Sequence, residues 1–352
     1  MSSLTETKQM INENKDKLYE LDYMRFIACL AVMIVHITAT GVTGYIHGSF
    51  PYKAVLLLNR SLKFTTPIFI FLSGVTSFYS YRKKEFNYFS FLGRRLSKVL
   101  VAYIVWSIIY YAVYMKLGYY SWNPVFFVKS VLQGTMSYHL YFVIIITQMY
   151  VVGPLFFFIL KKTDRKIPIL VAAGIITMLS AEFIRFELSD RLFLKYMVFY
   201  MWGIYVTLER DKYLNWIQKN RLLLSVAYLA SCIVYTVVSY YDMAVITYVW
   251  FVFSVASVFF VYCVGLEMKE RLRKSYSFIK LFGQSSYYIY LMHPLVLTMS
   301  IMYAQNIGLL SVTKQLILYT VTVMPSTILS CLAFVAAKNK IRKSKKAAAA
   351  AV

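Results

Sequence analysis

Residues 21–40, LDYMRFIACLAVMIVHITAT, form an apolar run whose ionisable side chains other than tyrosine and cysteine are Asp22, Arg25 and His36. A run of this length and composition predicts a membrane-spanning α-helix. The chain as a whole has the same character, because 60% of its 352 residues are hydrophobic and only 15% are charged. That amount of apolar surface exceeds what one soluble core can bury. The sequence therefore predicts an all-α integral membrane protein.

Ten apolar runs along the chain have lengths suited to transmembrane helices. They lie near 24–45, 62–80, 99–118, 139–160, 167–183, 194–208, 222–240, 244–266, 284–304 and 314–337. We expect a bundle of about ten transmembrane helices, with a tail at 1–22, a membrane domain at 23–337 and a basic tail at 338–352. The first residues are polar, which predicts that no signal peptide is cleaved, and the final AAAAAV is set aside as foreign to the fold.

The basic residues predict the orientation of the bundle. Of the 38 lysines and arginines, 28 fall in alternate segments, namely the N-terminal tail, 81–98, 161–166, 209–221, 267–280 and the C-terminal tail. Because positive loops stay in the cytoplasm, both termini are predicted inside. The net charge of +23 does not indicate nucleic-acid binding, since the charges lie in short loops rather than on one soluble face. The main outer loops would be 46–61 and 119–138, so any chemistry belongs to the bundle.

The first span carries two candidates for function, because an ionisable side chain inside a membrane is costly unless it faces protein or water. Arg25 and His36 are eleven positions apart, which corresponds to roughly 16 Å of helix rise and an angular offset of about 20°. They share one face, and Asp22 can pair with Arg25. Two simpler interpretations stay open: Arg25 extends to the lipid headgroups, and His36 is a neutral core histidine.

The ninth span, FGQSSYYIYLMHPLV at 282–296, repeats this pattern. Ser286, Tyr290 and His293 fall on one helical stripe, and Pro294 removes a backbone donor directly after the histidine. His293 can equally be a packed histidine beside a kink. His139 begins the fourth span, but the four histidines of the chain lack the spacing of metal ligands, so no metal is expected.

A basic cluster precedes the third span. Segment 81–98 carries six basic residues, and Arg94, Arg95 and Lys98 lie at the entrance to the span. Such a cluster suits a polyanion, for example the phosphates of coenzyme A, or anionic lipid headgroups. The positive-inside rule also accounts for basic residues here, so charge alone does not choose between these interpretations.

Five motifs, in order along nearly the whole chain, resemble those of acyltransferase family 3, a family of membrane-bound acyltransferases. They are Arg25 and His36 as an Arg-ten residues-His signature, TTPIFIFLSGV with Ser73 and Gly74, GRRLSK at 93–98, YHLYF at 138–142 and SSYYIYLMHPL at 285–295. Lys98 departs from the family, where Arg is common, and loses the bidentate fork of a guanidinium. The size and layout are similar to single-domain members that modify or accompany exopolysaccharides, including those of intercellular-adhesin type.

The resemblance implies transfer of an acyl group, usually acetyl and sometimes succinyl, to a hydroxyl of a cell-surface glycan or lipid-linked saccharide. The donor would be cytoplasmic acyl-CoA, with acetyl-CoA as the first candidate. The resemblance also implies a bacterial plasma membrane location. The expected catalytic residues are His36, as the base, Arg25 and His293. The acyl-CoA donor would contact Arg94, Arg95, Lys98 and Ser73. The glycan acceptor would contact Tyr290, His139 and Ser286. Direct transfer and a transient acyl-enzyme on His36 both stay open.

A rival hypothesis is a transporter that exports an exopolysaccharide or a lipid-linked sugar. Ten spans, a polar passage and many aromatic side chains would serve a carrier as well. A carrier, however, needs neither a basic donor site nor a base within the membrane.

Overall fold

The computed structural model describes residues 18–82 and 84–350, and this part of the chain is helical without any β-strand. Most of the predicted N-terminal tail, together with Lys83 of the basic segment and the last two residues, lies outside the described residues. The α-helices are α1 (Tyr19–Gly44), α2 (Phe50–Ser61), α3 (Thr65–Phe78), α4 (Tyr88–Lys116), α5 (Pro124–Gln133), α6 (Tyr141–Lys162), α7 (Lys166–Phe183), α8 (Met197–Leu208), α9 (Arg210–Lys219), α10 (Arg221–Tyr240), α11 (Ile246–Arg271), α12 (Tyr276–Asn306) and α13 (Val312–Ala350).

Eight helical segments within the described residues are long and apolar enough to cross a membrane, and they make the chain a multi-pass membrane protein. They contain α1, α2 with α3, α4, α6, α7, α10, α11 and α13. The predicted spans 194–208 and 284–304 correspond to α8 and α12, which are helical but lie outside these eight. The count of about ten spans and the N-in, C-in orientation thus stay predictions.

Two predicted loops contain helices. Most of 46–61 forms α2, and 119–138 contains α5, so both segments predicted as outer loops carry helices that the sequence analysis did not identify. Each helix has a capped start: the Ser49 hydroxyl accepts a hydrogen bond from the Tyr52 amide at 3.3 Å, and the Asn123 side chain accepts one from the Phe126 amide at 2.9 Å. Proline at the first turn favours both starts.

Helix α8 is short because protein rather than lipid surrounds it. Ten of its twelve residues are buried, and it crosses α3 where Gly74 and Gly203 face each other. A Cβ atom on Gly74 would lie only 3.2 Å from the Gly203 Cα and closer still to the carbonyl oxygen of Tyr200. Only glycine at both positions permits this approach of two backbones.

Helices α12 and α13 form an antiparallel hairpin that packs on α1. The sulfur atoms of Cys331 and Met292 lie 3.8 Å apart, and the Ser300 and Thr322 hydroxyls are 2.9 Å apart. The residue number rises along α12 as it falls along α13 between these two contacts, as an antiparallel pair requires. Polar residues of α12, including Gln284 and Ser286, lower its hydropathy. The hairpin buries Ser286, whereas Gln284 stays exposed.

Ion pairs gather the basic segments at one end of the bundle, which we call the basic end. The carboxylate of Glu20 is fully buried, 2.7 Å from a guanidinium nitrogen of Arg210 and 3.6 Å from the amine of Lys269. This node joins the start of α1 to α9 and α11. The opposite end, near His47 and Tyr240, we call the histidine end because three further histidines lie toward it.

Candidate functional site

A cleft of about 950 Å³ enters the bundle between α1, α3, α4, α6, α12 and α13. Its positively charged lining side chains are Arg25, Arg95, Lys98, Lys338 and Arg342, and no aspartate or glutamate of the described residues lines it. The cleft begins among these cations and reaches inward to Met292, which directly precedes His293. A cavity with positive charge at its mouth and no opposite charge on its walls attracts a polyanion.

One wall of the cleft is incomplete. Val101 and Val105 of α4 line the cleft, yet their side chains remain 62% and 50% exposed. Because α4 is one of the eight helical segments long and apolar enough to cross a membrane, we expect this side of the cleft to face the bilayer.

Arg25 is held in the cleft by its own helix. Its Nη1 lies 2.7 Å from Oδ1 of Asp22, three residues earlier, as the spacing predicts. The other carboxylate oxygen of Asp22 accepts a hydrogen bond of 2.9 Å from the Tyr276 hydroxyl of α12. The guanidinium is thus oriented by a carboxylate that α12 fixes in turn.

The basic motif at the start of α4 divides into two faces. Arg95 and Lys98, three residues apart, both line the cleft, whereas Arg94 is turned about 100° away on the helix and donates to the Tyr81 hydroxyl. Arg95 donates to the backbone carbonyl of Thr76 on α3. The sequence grouped Arg94 with Arg95, but only Arg95 and Lys98 reach the cleft.

Ser73 and Ser286 also line the cleft, on α3 and α12. The Ser73 hydroxyl donates to the Tyr150 hydroxyl at 3.3 Å, and the Ser286 hydroxyl donates to the Gly283 carbonyl at 2.8 Å. Ser286 was predicted on the acceptor side, yet it shares the cleft with the donor candidates. Tyr150, a further polar group in the wall, carried no signal in the sequence beyond its type.

Three histidines from three helical regions meet beyond Met292. The rings of His36 and His293 are 5.2 Å apart between centroids, and those of His139 and His293 are 5.9 Å apart. The sequence singled out His36 and His293 as polar groups within spans and placed His139 apart from them; the structure joins all three. His36 also lies 5.0 Å from the ring of Tyr138, which is 54% exposed and opens the cluster toward the histidine end.

The hydrogen bonds of this cluster fix the chemistry of His293. Its Nδ1 lies 2.9 Å from the carbonyl oxygen of Ile289, and because a carbonyl only accepts, Nδ1 carries the proton. In a neutral His293 ring, Nε2 then carries a lone pair, and this buried atom has no hydrogen-bond partner among the described residues. Both ring nitrogens of His139 are likewise buried without such a partner. The Tyr290 hydroxyl donates to the His139 carbonyl and ties α12 to the start of α6. The arrangement can accept a proton or a hydrogen bond from a hydroxyl group.

The cluster does not have the form of a metal centre. Across residues 18–82 and 84–350, no three His, Cys, Asp or Glu side chains are placed to hold a metal ion together. The four cysteines, at positions 29, 232, 263 and 331, are buried free thiols.

Lys338 and Arg342 are the site residues that the sequence analysis missed. The predicted domain ended at residue 337, but α13 continues through that boundary and brings both side chains to the mouth of the cleft. Their spacing of four residues on a helix was the available signal.

The sequence of this chain is similar to known proteins over most of its length. A family profile described as "Acyltransferase domain" matches residues 18–336. Three relatives from Staphylococcus aureus, of strains MSSA476, MW2 and N315, are each 23% identical over 299 residues, which cover 79% of this chain and 82% of the relative. Each is named "Probable poly-beta-1,6-N-acetyl-D-glucosamine export protein". No solved structure matches this chain.

Proposed function

Because this chain belongs to acyltransferase family 3, we propose that it is a bacterial membrane O-acyltransferase. It would move an acyl group, with acetyl as the first candidate and succinyl as the second, from acyl-CoA to a hydroxyl of a cell-surface or lipid-linked glycan. The observation that carries the proposal is the closeness of the basic cleft to the histidine cluster. The cleft lined by Arg25, Arg95 and Lys98 extends to Met292, and the next residue of the helix, His293, does not line the cleft itself but lies 5.2 Å from His36 between ring centroids. A donor that enters at the basic end would thus present its thioester to imidazoles that an acceptor reaches from the histidine end.

The cations supply binding for the donor. Coenzyme A carries a diphosphate and a 3′-phosphate, and arginine and lysine are the usual partners of such groups. Arg25 is oriented by Asp22 at 2.7 Å, and Arg95 by the Thr76 carbonyl. Both guanidinium groups are therefore arranged before the donor arrives, which lowers the entropic cost of binding.

His36 is the proposed general base. A sugar hydroxyl is a weak nucleophile at neutral pH, so it must lose its proton as its oxygen attacks the thioester carbonyl. In our scheme His36 takes that proton, the new ester C–O bond forms, and the C–S bond breaks. The proton then passes to the departing thiolate, which leaves as coenzyme A thiol. His293, with its Nε2 lone pair, would accept a hydrogen bond from a neighbouring hydroxyl of the sugar and so orient the acceptor beside His36.

The test compares two histidine variants in cells that make the acylated glycan. Mass analysis of the surface polysaccharide is expected to show loss of acyl groups in His36→Ala, since removal of a general base lowers a rate by about 10²–10⁴. His47→Ala is the matched control, because the His47 ring packs between Tyr52 and Tyr240 at the surface rather than against the other three histidines. Membrane levels of both variants are measured in parallel.

Export is the second candidate, and the names of the Staphylococcus relatives favour it. A carrier would use the same aromatic and polar interior to move the glycan itself. The same cells distinguish the two functions. If His36→Ala leaves the acyl content of the glycan intact while the amount of surface glycan falls, the protein is an exporter and the acyltransferase proposal is wrong.

A further inference from the structure

The last helix extends past its apolar part and returns to the cleft. Apolar residues of α13 end near Ala337, and a basic segment then continues the same helix. All four basic side chains at 338, 340, 342 and 343 are exposed, but only Lys338 and Arg342, four residues apart, line the cleft. One face of this segment is thus part of the cavity and the other belongs to the surface.

Two side-chain contacts hold this segment against α12. The Lys338 amine donates to the Tyr288 hydroxyl at 2.9 Å, and the Asn339 amide donates to the Gln284 side-chain oxygen at 2.9 Å. Gln284 and Tyr288 also line the cleft. The segment is therefore docked at the mouth of the cleft, rather than projecting away from the bundle as a free tail.

The position of the two cations matches the outer part of a long polyanion. Gln284 precedes Met292, at the inner limit of the cleft, by eight residues, which is about 12 Å along a helix. Arg342 lies three residues beyond Asn339, about 4–5 Å farther out. The extended pantetheine arm of coenzyme A can cover such a distance. Its adenosine 3′-phosphate end would then lie beside Lys338 and Arg342, at the mouth that Arg25, Arg95 and Lys98 also line.

We propose that Lys338 and Arg342 of the C-terminal helix bind the phosphate groups at the adenosine end of the acyl-CoA donor. This inference rests on the proposed function and adds a contact that the basic motif of α4 does not supply. Within residues 18–82 and 84–350 no carboxylate lines the cleft, so none of these residues competes there with an anion for Lys338 and Arg342. The chemistry recognised is a phosphate, which either the donor or an anionic lipid headgroup can present.

The test uses the full chain in phosphatidylcholine nanodiscs and acetyl-CoA as the calorimetric probe. The variant Lys338→Gln/Arg342→Gln is expected to raise Kd for acetyl-CoA about tenfold, since charge-assisted contacts to phosphate are lost. The matched control is Lys340→Gln/Lys343→Gln, which removes the same charge from the other face of the same helix and should change Kd less than twofold. With acetyl-dephospho-CoA, which lacks the 3′-phosphate, the difference between the two double variants should shrink.

The remaining outcomes separate this inference from the proposed function. Equal Kd values for the two double variants overturn the role of Lys338 and Arg342 while leaving the donor intact. A difference that appears only in nanodiscs with phosphatidylglycerol assigns these residues to lipid phosphate and also overturns it. If the wild-type protein binds no acetyl-CoA in either membrane, the donor itself is wrong, and the proposed function and this inference both fall. Matching thermal unfolding midpoints show that the variants are folded.

Discussion

Substitution of Gly203 by alanine tests the close contact between α3 and α8. A Cβ atom at this position would lie 2.7 Å from the backbone nitrogen of Val75 and closer still to the carbonyl oxygen of Phe71. Both neighbours are backbone atoms of a buried helix, so they cannot rotate aside as the end of a side chain does. The two helices must separate by roughly 1 Å to restore an ordinary contact distance.

The cost follows from that separation. Overpacking of a tight interface costs about 1–3 kcal/mol, and a gap of about 1 Å forfeits up to half of the dispersion attraction across it. The affected contact is surrounded by side chains of α3 and α8 that are fully buried, such as Phe71 and Ile204. We therefore expect Gly203→Ala to lower the free energy of unfolding by about 2–3 kcal/mol, at the upper end of that range.

Unfolding in mixed micelles with increasing SDS, followed by circular dichroism, measures this difference. Gly93→Ala is the matched control: Gly93 lies within α4, and a Cβ atom there would meet nothing within 4 Å. Because alanine is the better helix former, this control should be as stable as the wild type or up to about 1 kcal/mol more stable. Equal stability of the two variants would refute the packing argument.

Two further predictions concern charged residues near the basic end. Arg95→Ala should raise Kd for acetyl-CoA several-fold more than Arg94→Ala, because only Arg95 lines the cleft, and equal effects in calorimetry would contradict this geometry. Hydrogen bonds from Lys166 and Lys212, each 3.0 Å away, hold the pKa of Glu209 below its usual 4.5. The ionised carboxylate therefore stabilises the fold above about pH 4.5, and this contribution is lost as the pH falls through the lowered pKa. Thermal unfolding midpoints of Glu209→Gln should therefore be lower than wild type at pH 7 and approach it toward pH 3; a constant difference across that range would count against the linkage.

Long apolar runs predicted most of the fold because lipid imposes its requirement on each helix separately. The runs 139–160 and 167–183 correspond closely to α6 and α7. Helix α2 was missed because Lys53 and Arg60 interrupt its hydrophobicity, although Ser49 and the following proline marked its start. The run 194–208 already predicted a short helix, but the burial of α8 by distant helices could not be predicted from its own sequence.

The candidate site was predictable only where its signals were local. Arg25 and His36 stood out because burial of such groups in a membrane is costly, and the partner of Arg25 followed from helical spacing. The approach of His139 to His293 depends on the packing of α6 against α12 and has no trace in the linear sequence. Lys338 was hidden for another reason: a basic residue after the last span satisfies the positive-inside rule, which obscures a second role.

We expect the bilayer to complete the side of the cleft along Val101 and Val105, where both side chains are exposed. Bilayer thickness and acyl-chain order would then contribute to the shape of the cavity. Binding constants from detergent micelles and from native membranes would describe two differently walled cavities. Under the proposed function, lipid composition would be a variable through which a cell tunes the rate of glycan acylation without changing a single residue of this protein.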